Sequence, residues 1–363
     1  MLPMLPYYTS KNLFLAELLG QNLHISKIFY LFLVLVNTYL IWLISKKLLN
    51  KKFAFLSVAT ILFSPWFYYL AVGHSFYFLL LFPTLLIILG LIEIFQTQSK
   101  TINLLLVTGS LLSIYSSALF IPLLLILFIT LIYSKIISLN KLKLSLILIF
   151  ILSLPLLFLI SKNSIGFTNS LRQEAKIFVD PGLINSINRY RGAAEANNYK
   201  FFSRVSENKY LFYSEYIFLK YVSQLVPETY FTPKYKLLSY AFNPPIFAGF
   251  TIPMFYGLYL ALKKPNLRKL LFVSTILVIP SVISKDMVSL NRLVLFSPVV
   301  FLVISYGLSN LYQKRNALVA KYFLILTSIL VLFQIVVVLF DFKAHEQQRF
   351  ESYFGKNYEL SEP

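Results

Sequence analysis

The sequence predicts an all-α polytopic membrane protein with about ten transmembrane helices and one large external loop. Three observations predict it. Apolar runs of about 17 residues or more recur along the chain, the length a helix needs to cross hydrocarbon. The 363 residues are 58% hydrophobic and 13% charged, against about 45–50% apolar and about 25% charged in soluble domains. One long stretch, Ser161–Phe247, breaks the apolar pattern, with 11 of the 33 Lys and Arg residues and 6 of the 14 Asp and Glu residues.

The spans follow in order. Ile28–Ser45 is the first, closed by Lys46, Lys47, Lys51 and Lys52. Phe53–Leu70 is the second. The turn Gly73-His74-Ser75 leads to Phe76–Phe95, the third, with Glu93 at its end. Ile102–Tyr133 is apolar throughout. As one helix it would run about 48 Å, too long for hydrocarbon of about 30 Å, so it reads as two short helices meeting near Ser116-Ser117. Leu144–Ile160 is the sixth span and enters the loop. Ala248–Leu262, starting as early as Ile246, Leu270–Ser284, Arg292–Leu311 and Tyr322–Phe340 complete the set. The chain divides into about six N-terminal spans (1–160), the loop with its interfacial helix (161–247), about four C-terminal spans (248–341) and an external polar tail (342–363).

Orientation follows from the bias of Lys and Arg in short connections. The alternate connections 46–52, 96–101, 134–143, 263–269 and 312–321 hold fifteen basic residues and no acid. The opposite connections, 71–75 and 285–291, hold one basic residue, Lys285. The basic set is therefore expected in the cytoplasm, with the loop and both termini outside an inner (plasma) membrane. This asymmetry accounts for much of the net charge of +19 without nucleic acid as a partner. An external N-terminus also asks for one further helix upstream of Met1. Met1–Ser26 carries Glu17 and lacks a basic region before an apolar core, so it does not read as a signal peptide.

Other chemistries are excluded by residue type. With no Cys the chain has neither disulfides nor thiolate metal sites. Three His and scattered acids give no HExxH or other metal-ligand spacing, and neither GxGxxG nor a P-loop is present.

Within the loop, Tyr210–Val226 (YLFYSEYIFLKYVSQLV) reads as an amphipathic helix with aromatic and Lys side chains. It suits either a membrane interface or packing of the loop against the bundle. The basic pairs Arg189/Arg191 and Arg204/Lys209 suit phosphate binding, or a solvated surface of mixed charge. Arg292 stands at the outer mouth of a span near Lys285 and Asp286. It either snorkels to the interface or holds a lipid phosphate there.

Several stretches resemble GT-C membrane glycosyltransferases, in particular bacterial members similar to dolichyl-phosphate-mannose protein mannosyltransferases and ArnT-like enzymes. Lys46–Trp66 (KKLLNKKFAFLSVATILFSPW) looks like the family's basic turn and following helix ending in Ser-Pro-Trp. Leu5–Leu19 with Gly20-Gln21-Asn22 resembles the outer segment before it. Ile187–Lys209 is similar to the family's external loop, through Asn188, Arg191-Gly192 and Asn208-Lys209. Asn291–Leu308 (NRLVLFSPVVFLVISYGL) resembles its late helix, and His345–Gly355 its tail.

The resemblance implies a GT-C-like fold and sugar transfer from a polyprenyl-phosphate donor to a hydroxyl of a protein, lipid or glycan, with inversion. An acidic residue of the first external loop would act as base or assist a divalent cation. The family's first helix and acidic loop have no counterpart here, and Leu70–Tyr77 (LAVGHSFY) lacks the usual Arg and Glu. The resemblance then implies a truncated reading frame, a chain that has lost catalysis, or another carboxylate in the role, with Glu17, Asp180 and Glu195 as the candidates. Arg292, Lys285, Arg189, Arg191 and Lys209 are the candidates for substrate binding. Two other functions compete: a non-catalytic protein that binds lipid-linked glycan, and a flippase or transporter. Ion-coupled transport would place charges inside spans, and these spans are almost charge-free.

Overall fold

The computed structural model describes residues 23–354 apart from 50, 63, 68–75, 97–102, 135, 163, 176, 178–180, 197–208 and 233–243. The described residues are mostly helical, with no strand among them. Before the loop stand α1 (Leu23–Leu48), α2 (Lys51–Leu62), α3 (Phe76–Gln96), α4 (Leu104–Ser116), α5 (Phe120–Tyr133) and α6 (Leu139–Lys162). The loop holds α7 (Ser164–Glu174), α8 (Pro181–Ala196), α9 (Lys209–Leu225) and the single turn α10 (Glu228–Phe231). A 3₁₀ turn, Ala248–Phe250, then opens α11 (Thr251–Lys263). After it come α12 (Pro265–Ser274), a 3₁₀ turn Thr275–Val278, α13 (Ile279–Val282), α14 (Leu290–Leu293), α15 (Ser297–Gln313) and α16 (Leu318–Phe354).

Among the described residues, five segments are long and apolar enough to cross a membrane: Ile28–Leu48, Tyr77–Gln96, Leu142–Lys162, Pro265–Val282 and Leu318–Phe340. α4 and α5 are shorter apolar helices. This is the architecture of a helical membrane protein. The bundle packs α15 against α11, α2 and α16, and packs α3 against α1 and α4, with α6 on α4. Large apolar side chains stay exposed on α1, α5, α6 and α16, among them Leu35, Ile129, Phe150 and Phe333. Such faces are uncostly against lipid and costly against water.

The helices differ from the expected spans where proline intervenes. The second span, expected over Phe53–Leu70, is interrupted after Leu62 and helical again at 65–67, with 68–70 outside the described residues. Pro65 disfavours helix at the residue before it, and Ser64 and Trp66 instead bond to Pro245 O through Ser64 Oγ (2.9 Å) and Trp66 N (3.0 Å). Leu270–Ser284 is a broken rod of α12, a 3₁₀ turn and α13 that starts earlier, at Pro265, with Pro280 in the first turn of α13. Arg292–Leu311 splits into α14 and α15, with Pro298 at the start of α15. The 102–133 run breaks at Ser117–Leu119, between α4 and α5. The chain after Asp341, expected as a polar tail, continues α16 to Phe354. That helix is about 55 Å long and overshoots a bilayer of about 30 Å.

Helix ends collect on two opposite faces of the bundle. At one, Lys47 of α1 pairs with Glu93 of α3, Gln96 Nε2 donates to Lys47 O (3.0 Å) and Lys264 Nζ approaches Leu48 O at 3.5 Å. Asn103 caps α4, accepting from Leu106 N (2.9 Å) and donating to Glu93 Oε2 (3.0 Å). Cations here lie over aromatic rings: Lys46 over Trp42 (5.0 Å), Lys264 over Tyr306 (5.3 Å) and Arg315 over Tyr312 (4.5 Å). Amphipathic rings with snorkelling cations are typical of a membrane–water boundary. α3 runs from this basic face to the opposite, loop-side face.

Glycines set the closest helix approaches. A Cβ on Gly307 would lie 1.9 Å from Pro253 O, and one on Gly257 2.0 Å from Val303 O. α11 and α15 therefore touch backbone to backbone, the way small residues join membrane helices. Gly109 of α4 stands similarly against Pro83 O of α3, at 2.7 Å.

Candidate functional site

The loop-side face is organised around the connection between α13 and α14, residues 283–289. Ser281 Oγ braces it, lying 3.0 Å from both Ser289 O and Ser289 N. Ser284 Oγ lies 2.6 Å from Ser281 O and 3.1 Å from Asp286 O. Ser289 O accepts from the backbone N–H of Arg292 (3.0 Å) and Leu293 (2.9 Å), which winds α14 and fixes where Arg292 projects.

Arg292 is half-buried. Its Nη1 donates to Pro280 O (3.1 Å), and its guanidinium lies over the Tyr77 ring at 5.2 Å. Tyr77 begins α3, so Arg292 links the loop-side ends of α3, α13 and α14. Trp66, fully buried, donates from Nε1 to Leu290 O (3.0 Å) on the same element. The Ser-Pro-Trp stretch is thus a bracket between Pro245 and α14.

From the loop, α9 closes over this connection. Lys220 is fully buried. Its Nζ donates to Ser284 O (2.6 Å) and lies 5.5 Å from the Tyr216 ring centre. One turn on, Gln224 Nε2 donates to Met287 O (3.3 Å). Tyr230 of α10 donates to Gln224 O (2.6 Å), and its own carbonyl accepts from Ile246 N (2.9 Å). Burial pushes the Tyr230 hydroxyl well above the ordinary phenol range, so it stays protonated and remains a donor. Ile177 N donates to Ile283 O (3.2 Å), a further tie from the loop. Backbone carbonyls of this connection are thereby gripped by two buried side chains of α9, and Trp66 holds the start of α14 beside it.

The candidates from the sequence fall into separate places. Arg292 and Lys285 share the connection, with Lys285 and Asp286 exposed on its rim. Arg189 and Arg191 lie on α8, Arg189 exposed with its guanidinium 5.5 Å from the Tyr190 ring centre, and Arg191 half-buried. α8 reaches the site through α9, where Tyr190 packs near Phe212 (6.4 Å). Lys209 opens α9 and Glu195 lies in α8, the side chains of both outside the described residues. Glu17 and Asp180 lie outside the described residues altogether. Among the described residues, no three His, Cys, Asp or Glu side chains group as metal ligands.

Sequence reasoning missed Lys220 and Gln224 as site residues. Their i, i+4 spacing does put both on one stripe of an otherwise aromatic helix. Two buried amides keep polar atoms without partners: Gln224 Oε1 at this site, and both side-chain atoms of Asn37 inside α1.

No family model, no curated protein and no solved structure matches the chain.

Proposed function

We propose that the protein is a membrane glycosyltransferase of the GT-C kind, with about ten crossings, its basic face in the cytoplasm and its loop outside an inner (plasma) membrane. In this reading the donor is a polyprenyl-phosphate-linked sugar and the acceptor a hydroxyl on a protein, lipid or glycan. The observation that carries the reading is Arg292, a half-buried guanidinium held at the loop-side mouth by Pro280 O and the Tyr77 ring. Its planar fork suits a phosphate oxygen pair. Lys285 is exposed on the rim of the same connection, and a lipid phosphate entering there from the membrane would meet both cations. Of the stretches that resemble the family, Lys46–Trp66 ends at this place, where Trp66 donates to Leu290 O, the residue directly before Asn291–Leu308.

The step would break the anomeric carbon–oxygen bond to phosphate and form one to the acceptor oxygen, with inversion. The phosphate leaves with the electron pair, and its growing charge falls to Arg292 and Lys285. The acceptor proton goes to a carboxylate, for which Glu17, Asp180 and Glu195 are the candidates; a divalent cation would assist it.

The test is transfer from a polyprenyl-phosphate sugar by the membrane-embedded chain. Arg292→Ala is expected to reduce kcat/KM by about 100-fold or more, the scale of one lost charge-stabilising donor. Unchanged turnover in an active preparation overturns the assignment of Arg292. Donor binding that Arg292→Ala abolishes, in a chain that never turns the donor over, moves the reading to a lipid-linked-glycan binding protein or flippase.

A further inference from the structure

The exposed stripe of α9 is apolar, and the structure indicates what it meets. Leu211, Phe218, Leu219, Val222 and Val226 are between 39% and 64% exposed. In the same stripe, nearer the start of the helix, stands the exposed Glu215. The opposite side is held down by Tyr213, Lys220 and Gln224, all buried.

The depth of α9 can be read from two neighbouring residues. Lys220 reaches the loop-side end of the Pro265–Val282 span, at Ser284 O. Tyr221 reaches the other way, its hydroxyl within 3.5 Å of Thr275 O. Those two carbonyls are nine residues apart along the span, about 13 Å at helical rise. The middle of α9 therefore lies alongside the span, several ångströms below its end. That matches the roughly 5–10 Å to which interfacial helices sink at the headgroup–acyl boundary. Large apolar side chains are also exposed beside these anchors: Phe272, one turn before Thr275 on the span, is 54% exposed, and Met287, whose carbonyl accepts from Gln224, is 43% exposed.

We propose that α9 is embedded in the loop-side leaflet of the bilayer, its Phe218–Val226 half among the acyl chains and Glu215 at the headgroups. The occupant of the stripe is lipid. The helix is a membrane-seated clamp on the 283–289 connection rather than part of a water-exposed cap. The inference does not depend on the glycosyl-transfer reading.

The test uses the full chain, which has no native Cys, so single cysteines can be placed without removing others. Glu215→Cys, Phe218→Cys, Leu219→Cys and Val222→Cys are spin-labelled and reconstituted in phosphatidylcholine–phosphatidylglycerol vesicles. Power saturation then compares collision with oxygen and with a water-soluble nickel chelate. Labels at 218, 219 and 222 are expected to favour oxygen, deepest at 222, and the label at 215 to favour nickel. Nickel preference at 218 and 222 overturns the proposal by showing the stripe in water. Low collision with both reagents overturns it by showing protein there, either another segment of this chain or a second copy. Each variant sits on the exposed stripe, and an unchanged thermal transition certifies its fold. Should the Phe218 variant fail that check, the Leu219 and Val222 variants decide.

Discussion

Helices α3 and α16 are about equally apolar over their membrane-length windows, yet 78% of that window is buried in α3 and 6% in α16. Hydropathy places both in a membrane and says nothing of which meets protein. The difference lies in small and polar residues. α3 carries Thr84 and Gly90 at buried positions, and a Cβ on Gly90 would lie 2.7 Å from Leu106 N of α4. α16 has no glycine, and long aliphatic side chains line it. It packs on α15 and comes closest to the rest of the protein at Gly249, where Thr327, Leu330 and Val331 close on the backbone and Gly249 N donates to Gln334 Oε1 (3.3 Å). In lipid, leucine has no preference for protein over acyl chain, so close backbone approach decides what is buried.

That contrast can be broken most forcefully at the tightest approach. Gly307→Leu is expected to prevent α11 and α15 from meeting and to abolish the monodisperse folded protein in detergent. Gly307→Ala should cost about 3 kcal/mol or more, at the high end of overpacking, read as a lowered thermal transition of Trp66 fluorescence. A wild-type transition for Gly307→Ala would show that the helices are not in backbone contact.

A smaller loss is expected from Asn103→Ala. It removes the cap of α4 and one of the partners of Glu93, at about 1–2 kcal/mol, measured by the same transition. Asn37→Leu sharpens the point in the opposite direction. Replacing a buried amide without partners by an apolar residue of the same heavy-atom count and branching should stabilise by about 1 kcal/mol. A fall in stability would show that the amide has a partner in the membrane.

The smallest effect belongs to α16. Leu332→Ala, on a side chain 63% exposed, should change stability in detergent by less than about 0.5 kcal/mol. A cost above about 2 kcal/mol would mean that the face is covered by protein rather than lipid.

The same physics explains what could be read in advance. Apolar runs and the segregation of Lys and Arg made the helices and the two faces legible, down to the break beside Ser117. The loop helix was legible from its pattern, and Tyr210–Val226 corresponds to α9, Lys209–Leu225. The proline-controlled breaks at Ser64-Pro65 and around Pro280 were not, because an apolar run reads the same whether it is one rod or two. Arg292 stood out as a charge at a span mouth. Lys220 did not, since a lysine among aromatics reads as a surface residue until its helix has a buried side. Its partner, Ser284 O, is a backbone atom that side-chain patterns do not show.

The meeting of α11 and α15 has a mechanical consequence. Two rods in backbone contact at Gly257 and Gly307 have no side chain at that point to re-pack, so sliding or twisting one past the other brings backbone against backbone. Between them in the chain lies the jointed path of α12, the Thr275–Val278 turn, α13 and the 283–289 connection, where regular helical bonding is repeatedly interrupted. A displacement at the loop-side mouth would be a flexing of that jointed path, with Arg292 at its tip and Lys220 of α9 tethering it at Ser284 O.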